Sequence, residues 1–431
     1  MEPLKVIVIG AGGRGCCYTN IMHKYPDKFK VVGVAEPIDD RRNYIKEFHG
    51  VPEENCHLTW ETILNVPKFA DIAIISTMDQ LHTAPALKAL ELGYDLLLEK
   101  PVAPTPEECG MIYNKAKEMN AKVMVCHVLR YTLFYKRLKE ILDEGTIGDI
   151  ISVEHIEAVG NIHQSHSFVR GNWGNSGRSS FMLLQKCCHD LDILQWLLDK
   201  KCSKIQSFGS LKYFKRENAP AGSPERCHEG CPVGDTCYYN AMKLYYDDKG
   251  NGWFRGSACG TAKNPDDEKV MEALKTTQYG KCIFKCDNDV VDHQIVNMEF
   301  DDDTTVSMTM CAFTKGGRKT HFMGTKGELW VNNEARSDDE KFIFYSFDTH
   351  SYEALPAQGS IAGNSIIEGH GGGDSGIVDA LYKYETGEYT AEQVSEIGIS
   401  CSNHLLVFAA EQSRTEGSIV DIDEYSKNYM K

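Results

Sequence analysis

Gly10-Ala11-Gly12-Gly13-Arg14-Gly15 follows the β-branched run Lys5–Ile9 and opens a stretch patterned as a helix. Glycine at position 10 permits a tight turn, Gly12 lets backbone approach a pyrophosphate, and Gly15 lets helix and strand pack closely. The N–H groups at the helix start then stabilise phosphate charge. Gly13 and Arg14 fill the variable positions of this G-x-G-x-x-G turn. Glu36 stands 21 residues after Gly15, at the end of the next apolar run. A carboxylate there accepts from the hydroxyls of an adenosine ribose and repels a 2′-phosphate, so NAD is expected in preference to NADP. Arg41 and Arg42 weaken that preference.

Oxidising a secondary alcohol needs a hydride acceptor, which a nicotinamide supplies, and a base for the hydroxyl proton. Lys100 closes the apolar run Tyr94–Leu98 at the carboxyl edge of an expected parallel strand, where such sheets bind ligands. An ammonium there orients a hydroxyl and stabilises a developing alkoxide. Histidine is the natural base. His189 lies in an expected helix over Leu183–Leu198, with Asp192 on the same face at i+3 and Lys186 three residues before it. Arg170 and Trp173, in Phe168-Val169-Arg170-Gly171-Asn172-Trp173, together with Asp192 and with His370, in a glycine-rich turn, are candidate substrate contacts. The indole offers a flat apolar face for a sugar.

Cys227, Cys231, Cys237 and Cys259, spaced C-x3-C-x5-C-x21-C with His228 among them, suit a structural zinc site ordering a loop too polar to build its own core. Cys282 and Cys286, on an expected strand over Gly280–Cys286, are alternative donors. His155, His163 and His166 read as cleft or surface residues.

The elements that must position these groups alternate at first. Strands over Lys5–Ile9, Phe29–Ala35, Ala70–Ser76, Tyr94–Leu98 and Lys122–His127 are separated by helical stretches, which implies a parallel sheet with helices on both faces over residues 1–127. Beyond, strand patterns multiply and helices resume at Ser375–Thr386 and Glu392–Thr415. Residues 128–431 are therefore expected to form an α+β domain with a large, mostly antiparallel open sheet, carrying a Cys-rich insertion at 215–278. With 46 Lys+Arg against 62 Asp+Glu, the net charge of −16 argues against nucleic-acid binding. No stretch approaches the roughly 20 apolar residues of a membrane span. The start of the chain lacks a leader pattern and the cysteines are scattered, so a reduced cytoplasmic protein is expected.

Taken with Ile75-Ser76-Thr77, Asp79 and His82, with Glu99-Lys100-Pro101, and with Leu183–Asp192 (LLQKCCHDLD), the glycine turn resembles the Gfo/Idh/MocA oxidoreductases, the glucose-fructose oxidoreductase and inositol dehydrogenase group. The resemblance implies a Rossmann domain followed by an α/β domain whose open sheet mediates homodimers or homotetramers. It implies action on sugars or polyols, with Arg14, Ser76, Thr77, His82, Glu99 and Lys100 around the cofactor. Lys100 matches the Lys of the family's Glu-Lys-Pro, and His189 the His of its D-x-x-x-H. Gln185 replaces the Asp of that segment, leaving His189 alone or with Lys186 in the proton relay. Some relatives retain NAD and run oxidation, elimination, hydration and re-reduction on glycosides, which is the alternative activity. A cofactor-sensing regulator would have lost Lys100 and His189, and both are present.

Overall fold

Val6–Ile9 and Ile72–Ile75 are wholly buried, as expected of strands covered on both faces. In the computed structural model, which describes residues 2–261, 264–357 and 370–430, they are the central strands of a six-stranded parallel sheet. Its strands are β1 (Leu4–Ile9), β2 (Phe29–Ala35), β3 (Cys56–His57), β4 (Ile72–Ile75), β5 (Asp95–Leu98) and β6 (Val123–Val125), in the order β3-β2-β1-β4-β5-β6. The crossovers carry α1 (Gly13–His23), α2 (Asp39–His49), α3 (Trp60–Ile63), α4 (Thr83–Glu91) and α5 (Pro106–Met119). Strand order reverses between β1 and β4, the crevice where open α/β sheets bind ligands.

After α6 (Leu133–Asp143) comes β7 (Ile150–Ala158), then α7 (Asn161–Ser165) and α8 (Cys188–Leu198). The second sheet adds β8 (Cys202–Ser210), β9 (His293–Phe300), β10 (Thr305–Cys311), β11 (Gly317–Gly324), β12 (Gly327–Asn332), β13 (Phe342–Ser346), β14 (Ser351–Ala354) and β15 (Val420–Asp421). Its order is β14-β13-β12-β11-β7-β10-β9-β8-β15, antiparallel throughout except for the β7–β10 pair. Side chains alternate across it. Val153, Val296, Met298, Met308, Phe322 and Leu329 face the core. On the opposite face Phe208, Ile295, Thr309 and Ile156 lie in register across four strands, and the three apolar members are exposed.

The insertion departs from expectation. It holds α9 (Gly252–Cys259) and α10 (Asp267–Thr276) around its own core of Ala241, Tyr245, Phe254, Ala258, Val270 and Leu274. Residues 280–286 are not a strand: Cys282 N–H bonds to Glu225 O at 2.9 Å, and Lys285 N–H closes a turn on Cys282 O at 2.8 Å.

Near the end of the chain, α11 (Gly373–Thr386) packs Ile377, Val378 and Leu381 into the same core as Val6, Val8 and Tyr18. Lys122 Nζ donates to Tyr384 O and Glu385 O, each at 2.8 Å, and Ser395 O accepts from Val125 N–H at 2.8 Å. The helix expected over Glu392–Thr415 starts later, as α12 (Ile397–Glu416), and is followed by α13 (Ile422–Ser426). Among the described residues no helix is long and apolar enough to cross a membrane.

Candidate active site

The glycine turn carries β1 into α1 beside the end of β4. Gly10 holds a φ of 91°, and a Cβ there would sit 2.6 Å from Ser76 O. A Cβ on Gly15 would meet Gly10 O at 2.1 Å and Ser76 Oγ at 2.7 Å. Ser76 Oγ itself donates to Gly10 O at 2.7 Å, locking strand end to turn. Gly12 and Gly13 face the other way. Among the described residues a Cβ on Gly13 meets nothing within 4 Å, and one on Gly12 meets only Arg41 Nη1, at 3.9 Å. Among the described residues no side chain caps the first N–H groups of α1. The turn is thus closed towards the sheet and open where a pyrophosphate would lie, which fits a dinucleotide. Glu36 accepts Ala11 N–H (2.7 Å) and Ile38 N–H (3.0 Å), one on each carboxylate oxygen. Each oxygen keeps a second lone pair for a ribose hydroxyl.

Arg14 turns away from that opening. Its Nε donates to Glu99 Oε1 at 2.8 Å, its Nη2 donates to Asp374 Oδ1 at 2.6 Å, and Tyr18 OH also donates to Glu99 Oε1, at 2.6 Å. Burial alone would raise the Glu99 carboxyl, but Arg14 and Lys100 beside it hold it below the usual carboxylate range. Glu99 Oε2 accepts the Lys100 N–H at 2.9 Å. Arg14 and Glu99 therefore brace the turn, the end of β5 and the start of α11 as one unit. His82 contacts two main-chain oxygens, Pro101 O at 2.7 Å and Thr77 O at 3.1 Å, while Thr77 Oγ1 donates to Leu81 O at 3.0 Å. Both side chains shape the loop rather than project from it.

Lys100 Nζ donates to Gln185 O at 3.0 Å. Residues Leu183–Cys187 form a widened π turn before α8, so the expected single helix is in two parts, and His189 follows in the first turn of α8. The Gln185 side chain points elsewhere, into Asp79, Ser179 and Ser180, tying the β4 loop to the second domain. Lys186 Nζ is 3.4 Å from Glu157 Oε1, and Glu157 also meets Arg318 at 2.8 Å.

Asp192 is not a substrate contact. Its oxygens accept Arg130 Nε and Nη2, both at 2.7 Å, and Asn403 Nδ2 at 2.7 Å, all buried. Arg170 is also buried; it donates to Lys281 O at 3.0 Å and Tyr239 O at 2.7 Å and pins the insertion. Trp173 sits on a short turn, partly exposed, 6.1 Å from the Phe168 ring. His370 opens a turn before α11, and its side chain lies outside the described residues. His155 is a buried bridge between Thr320 and Asp190, not a cleft residue.

The zinc expectation is corrected. The fourth cysteine beside Cys227, Cys231 and Cys237 is Cys282, not Cys259, and together they line an apolar cavity of about 20 Å³. Among the described residues no three His, Cys, Asp or Glu are arranged to hold a metal ion. Cys237 and Cys282 pack instead in an apolar cluster with Phe214, Tyr239, Ile283 and Phe284.

Two histidines missing from the candidate site, His127 and His404, and His163, expected as a cleft or surface residue, feel the Lys100 charge. His404 Nε2 accepts Val102 N–H at 3.1 Å and its Nδ1 faces Ser400 O at 2.8 Å, which fixes the proton on Nδ1. His127 packs between His189 and His404, with ring centroids 5.8 and 5.4 Å away. His163 lies within reach of the Lys186 and Lys100 charges. Burial pushes His127 down to about 4 and His404 and His163 down to about 3, the nearby Lys100 charge acting in the same direction. Unfolded histidines titrate near ~6.5. Between that pH and the folded values the unfolded chain binds protons that the native rings refuse, so stability is lost as pH falls through this window. Calorimetry should show the melting temperature dropping from about pH 7 to about pH 5. His404→Gln, which keeps an acceptor for Val102, should flatten that slope; an unchanged slope would contradict a buried neutral ring.

Residues 4–127 match the profile of the Gfo/Idh/MocA oxidoreductase family, NAD-binding Rossmann fold, and residues 139–400 match its C-terminal alpha/beta domain. The chain belongs to this family. It is 24% identical over 374 residues to YteT of Bacillus subtilis (strain 168), described by name as an oxidoreductase, covering 84% of each chain. It is 26% identical over 202 residues to 2,7-anhydro-N-acetylneuraminate hydratase of Escherichia coli (strain K12), covering 47% of this chain and 51% of the hydratase. The fold is shared with levoglucosan dehydrogenase in complex with NADH and L-sorbose: TM-score 0.68, 20% identity, 98% and 99% of the two chains covered. As a Gfo/Idh/MocA member, the chain is an NAD-binding oxidoreductase. Asp79, Asp374 and His404 are held through contacts 106, 360 and 302 residues apart, and of the three His404 had no local pattern to announce it.

Proposed function

We propose that this enzyme transfers a hydride between a secondary alcohol carbon of a sugar or polyol and NAD, with Lys100 orienting the hydroxyl and His189 as acid/base. The observation that carries the reading is the Lys100 amine, held at the carboxyl edge of the parallel sheet against the turn that leads into His189. The glycine turn would hold the pyrophosphate and Glu36 the adenosine ribose. The nicotinamide, when bound, accepts or returns the hydride. Lys100 then stabilises the alkoxide as the His189 imidazole takes the hydroxyl proton. Lys186, paired with Glu157, adds positive charge at the rim. Levoglucosan dehydrogenase and the hydratase, both named for carbohydrate derivatives, support this substrate class. The exposed row Phe208, Ile295 and Ile156 supports association with further copies of the chain.

The hydratase relative also favours a second reading, a redox-neutral cycle of oxidation, elimination, hydration and re-reduction. One experiment addresses both. Purified protein is offered sugars, polyols and ketosugars with either nicotinamide, and aryl glycosides in deuterated water. Net change in nicotinamide absorbance is expected for the dehydrogenase. Glycoside cleavage with deuterium entering the ring and no net NADH would replace it with the second reading. Absence of both across a broad panel would remove the two together.

A further inference from the structure

A broad hollow of about 650 Å³ opens where the chain leaving β8 meets the ends of β7 and β10, and neither the glycine turn nor Lys100 nor His189 lines it. Three exposed rings surround it: Tyr238, Tyr213 and Phe313 are 79%, 41% and 44% exposed. Single apolar side chains are ordinary on a protein surface, but three around one concavity mark a place where something binds. The rings stand on a rigid base. Phe313 lies edge-on to Tyr213 at 5.4 Å and stacks on the buried Phe214 at 5.6 Å, and Phe214 packs against Tyr239 at 5.3 Å. The buried Asp292 carboxylate accepts the main-chain N–H groups of Lys212 and Tyr213, at 3.0 and 2.7 Å, so this wall is fixed before any ligand arrives.

The charge on the hollow has one sign. Lys212 and Lys315 line it, both exposed, and among the described residues no Asp or Glu does. Neither ammonium has an ion-pair partner among the described residues. In a chain of net charge −16, two such cations at one concavity call for an anion. The Gly160 and Asn161 N–H groups at the start of α7 are spent on Thr314 Oγ1 and Thr314 O, each at 3.0 Å. The main-chain donors that cradle a phosphate are therefore taken, and the positive charge comes from long, separate side chains that suit a carboxylate on a larger molecule. The aromatic rings offer flat apolar faces to the C–H face of a sugar, and the Asn161 amide, also in the lining, both donates to and accepts from hydroxyls.

We propose that this hollow binds an acidic saccharide, its sugar faces on Tyr213, Tyr238 and Phe313 and a carboxylate between Lys212 and Lys315. The site goes beyond the hydride-transfer reading and needs no nicotinamide. Asn161 follows Glu157, the partner of Lys186, by four residues, a reach of at most about 14 Å. The hollow thus opens at the same end of β7 as the rim of the candidate active site.

Calorimetric titration without nicotinamide tests it, with trigalacturonic acid as the probe and maltotriose as its neutral counterpart. The acidic trisaccharide is expected to bind at least about tenfold more tightly, and its affinity to fall as salt rises from about 0.05 to about 0.5 M. Lys212→Ala with Lys315→Ala should abolish the preference for the acid, and Tyr238→Ala should weaken both sugars about tenfold. Melting and NADH affinity should be unchanged in each variant, because these side chains are exposed and lie outside the dinucleotide site. Equal affinity for the two trisaccharides, no binding of either, or an unaltered preference in the lysine variant would overturn the proposal. Tighter binding of uridine monophosphate than of the uronate would assign the hollow to a nucleotide instead. A smaller assembly for Tyr238→Ala in sedimentation would assign it to a second copy of the chain. Failure of the unaltered protein to bind NADH would remove the hydride-transfer reading and leave the saccharide site standing.

Discussion

Lys100→Ala is expected to lower turnover by a factor on the order of 10³ while leaving dinucleotide affinity within a few-fold, as when a group acting on the transition state is lost. The structure fixes this amine from four directions. Glu99 accepts its main-chain N–H at 2.9 Å, Gln185 O accepts its Nζ at 3.0 Å, His82 holds Pro101 O at 2.7 Å, and His404 holds Val102 N–H at 3.1 Å. Glu99 also braces Arg14 of the glycine turn, but through its other oxygen, and Lys100→Ala keeps the main-chain N–H that Glu99 accepts, so binding and chemistry should separate. Steady-state kinetics beside a fluorescence titration with NADH makes the comparison. Turnover within tenfold of the unaltered enzyme would remove Lys100 from the mechanism and revive a sensing role for the fold. Lys100→Arg keeps the charge and changes the reach, so an intermediate rate is expected from it.

Arg130→Ala is expected to destabilise the protein by about 3–5 kcal/mol, the range for stranding one partner of a buried ion pair. Asp192 is 1% exposed and its carboxylate has Arg130, Asn403 and the more distant His127 as partners. Burial would raise this carboxyl, and Arg130 and His127 hold it below the usual range. Removing the guanidinium leaves the charge with the Asn403 amide and the more distant His127. Denaturant midpoints, at constant m, measure the loss. The paired change Arg130→Met with Asp192→Leu should recover much of it, because neither charge is then left alone. A cost under about 1 kcal/mol for Arg130→Ala would mean the pair behaves like a solvent-screened surface contact.

The two predictions mark where the sequence was legible. The glycine turn, Glu36 and the end of β5 are local: a strand, a turn and a helix within a few dozen residues, each written in periodicity and glycine placement. Their positions in the structure follow directly from those patterns. Asp192 was misread because i, i+3 spacing puts it on a helical face with His189 but does not say what faces that helix. Arg130, 62 residues earlier, and Asn403, 211 later, decide its role. The insertion was misread for a related reason. Its cysteines are conspicuous and close together, whereas the aromatic core that orders it is assembled from residues between 241 and 274, each unremarkable in its own neighbourhood. Gln185 was seen as a departure from the family pattern, and its partners Asp79, Ser179 and Ser180 give it a mechanical task that spacing alone does not encode.

The return of α11 and α12 to the parallel sheet has a consequence for anyone recombining this enzyme with its relatives. A chimera joined after residue 127 would receive the nucleotide half without Ile377 and Leu381 to fill its interior, without Asp374 to steady Arg14, and without His404 to hold the Val102 N–H. The smallest transplantable piece is discontinuous, made of the two ends of the polypeptide, with the intervening domain as the exchangeable part.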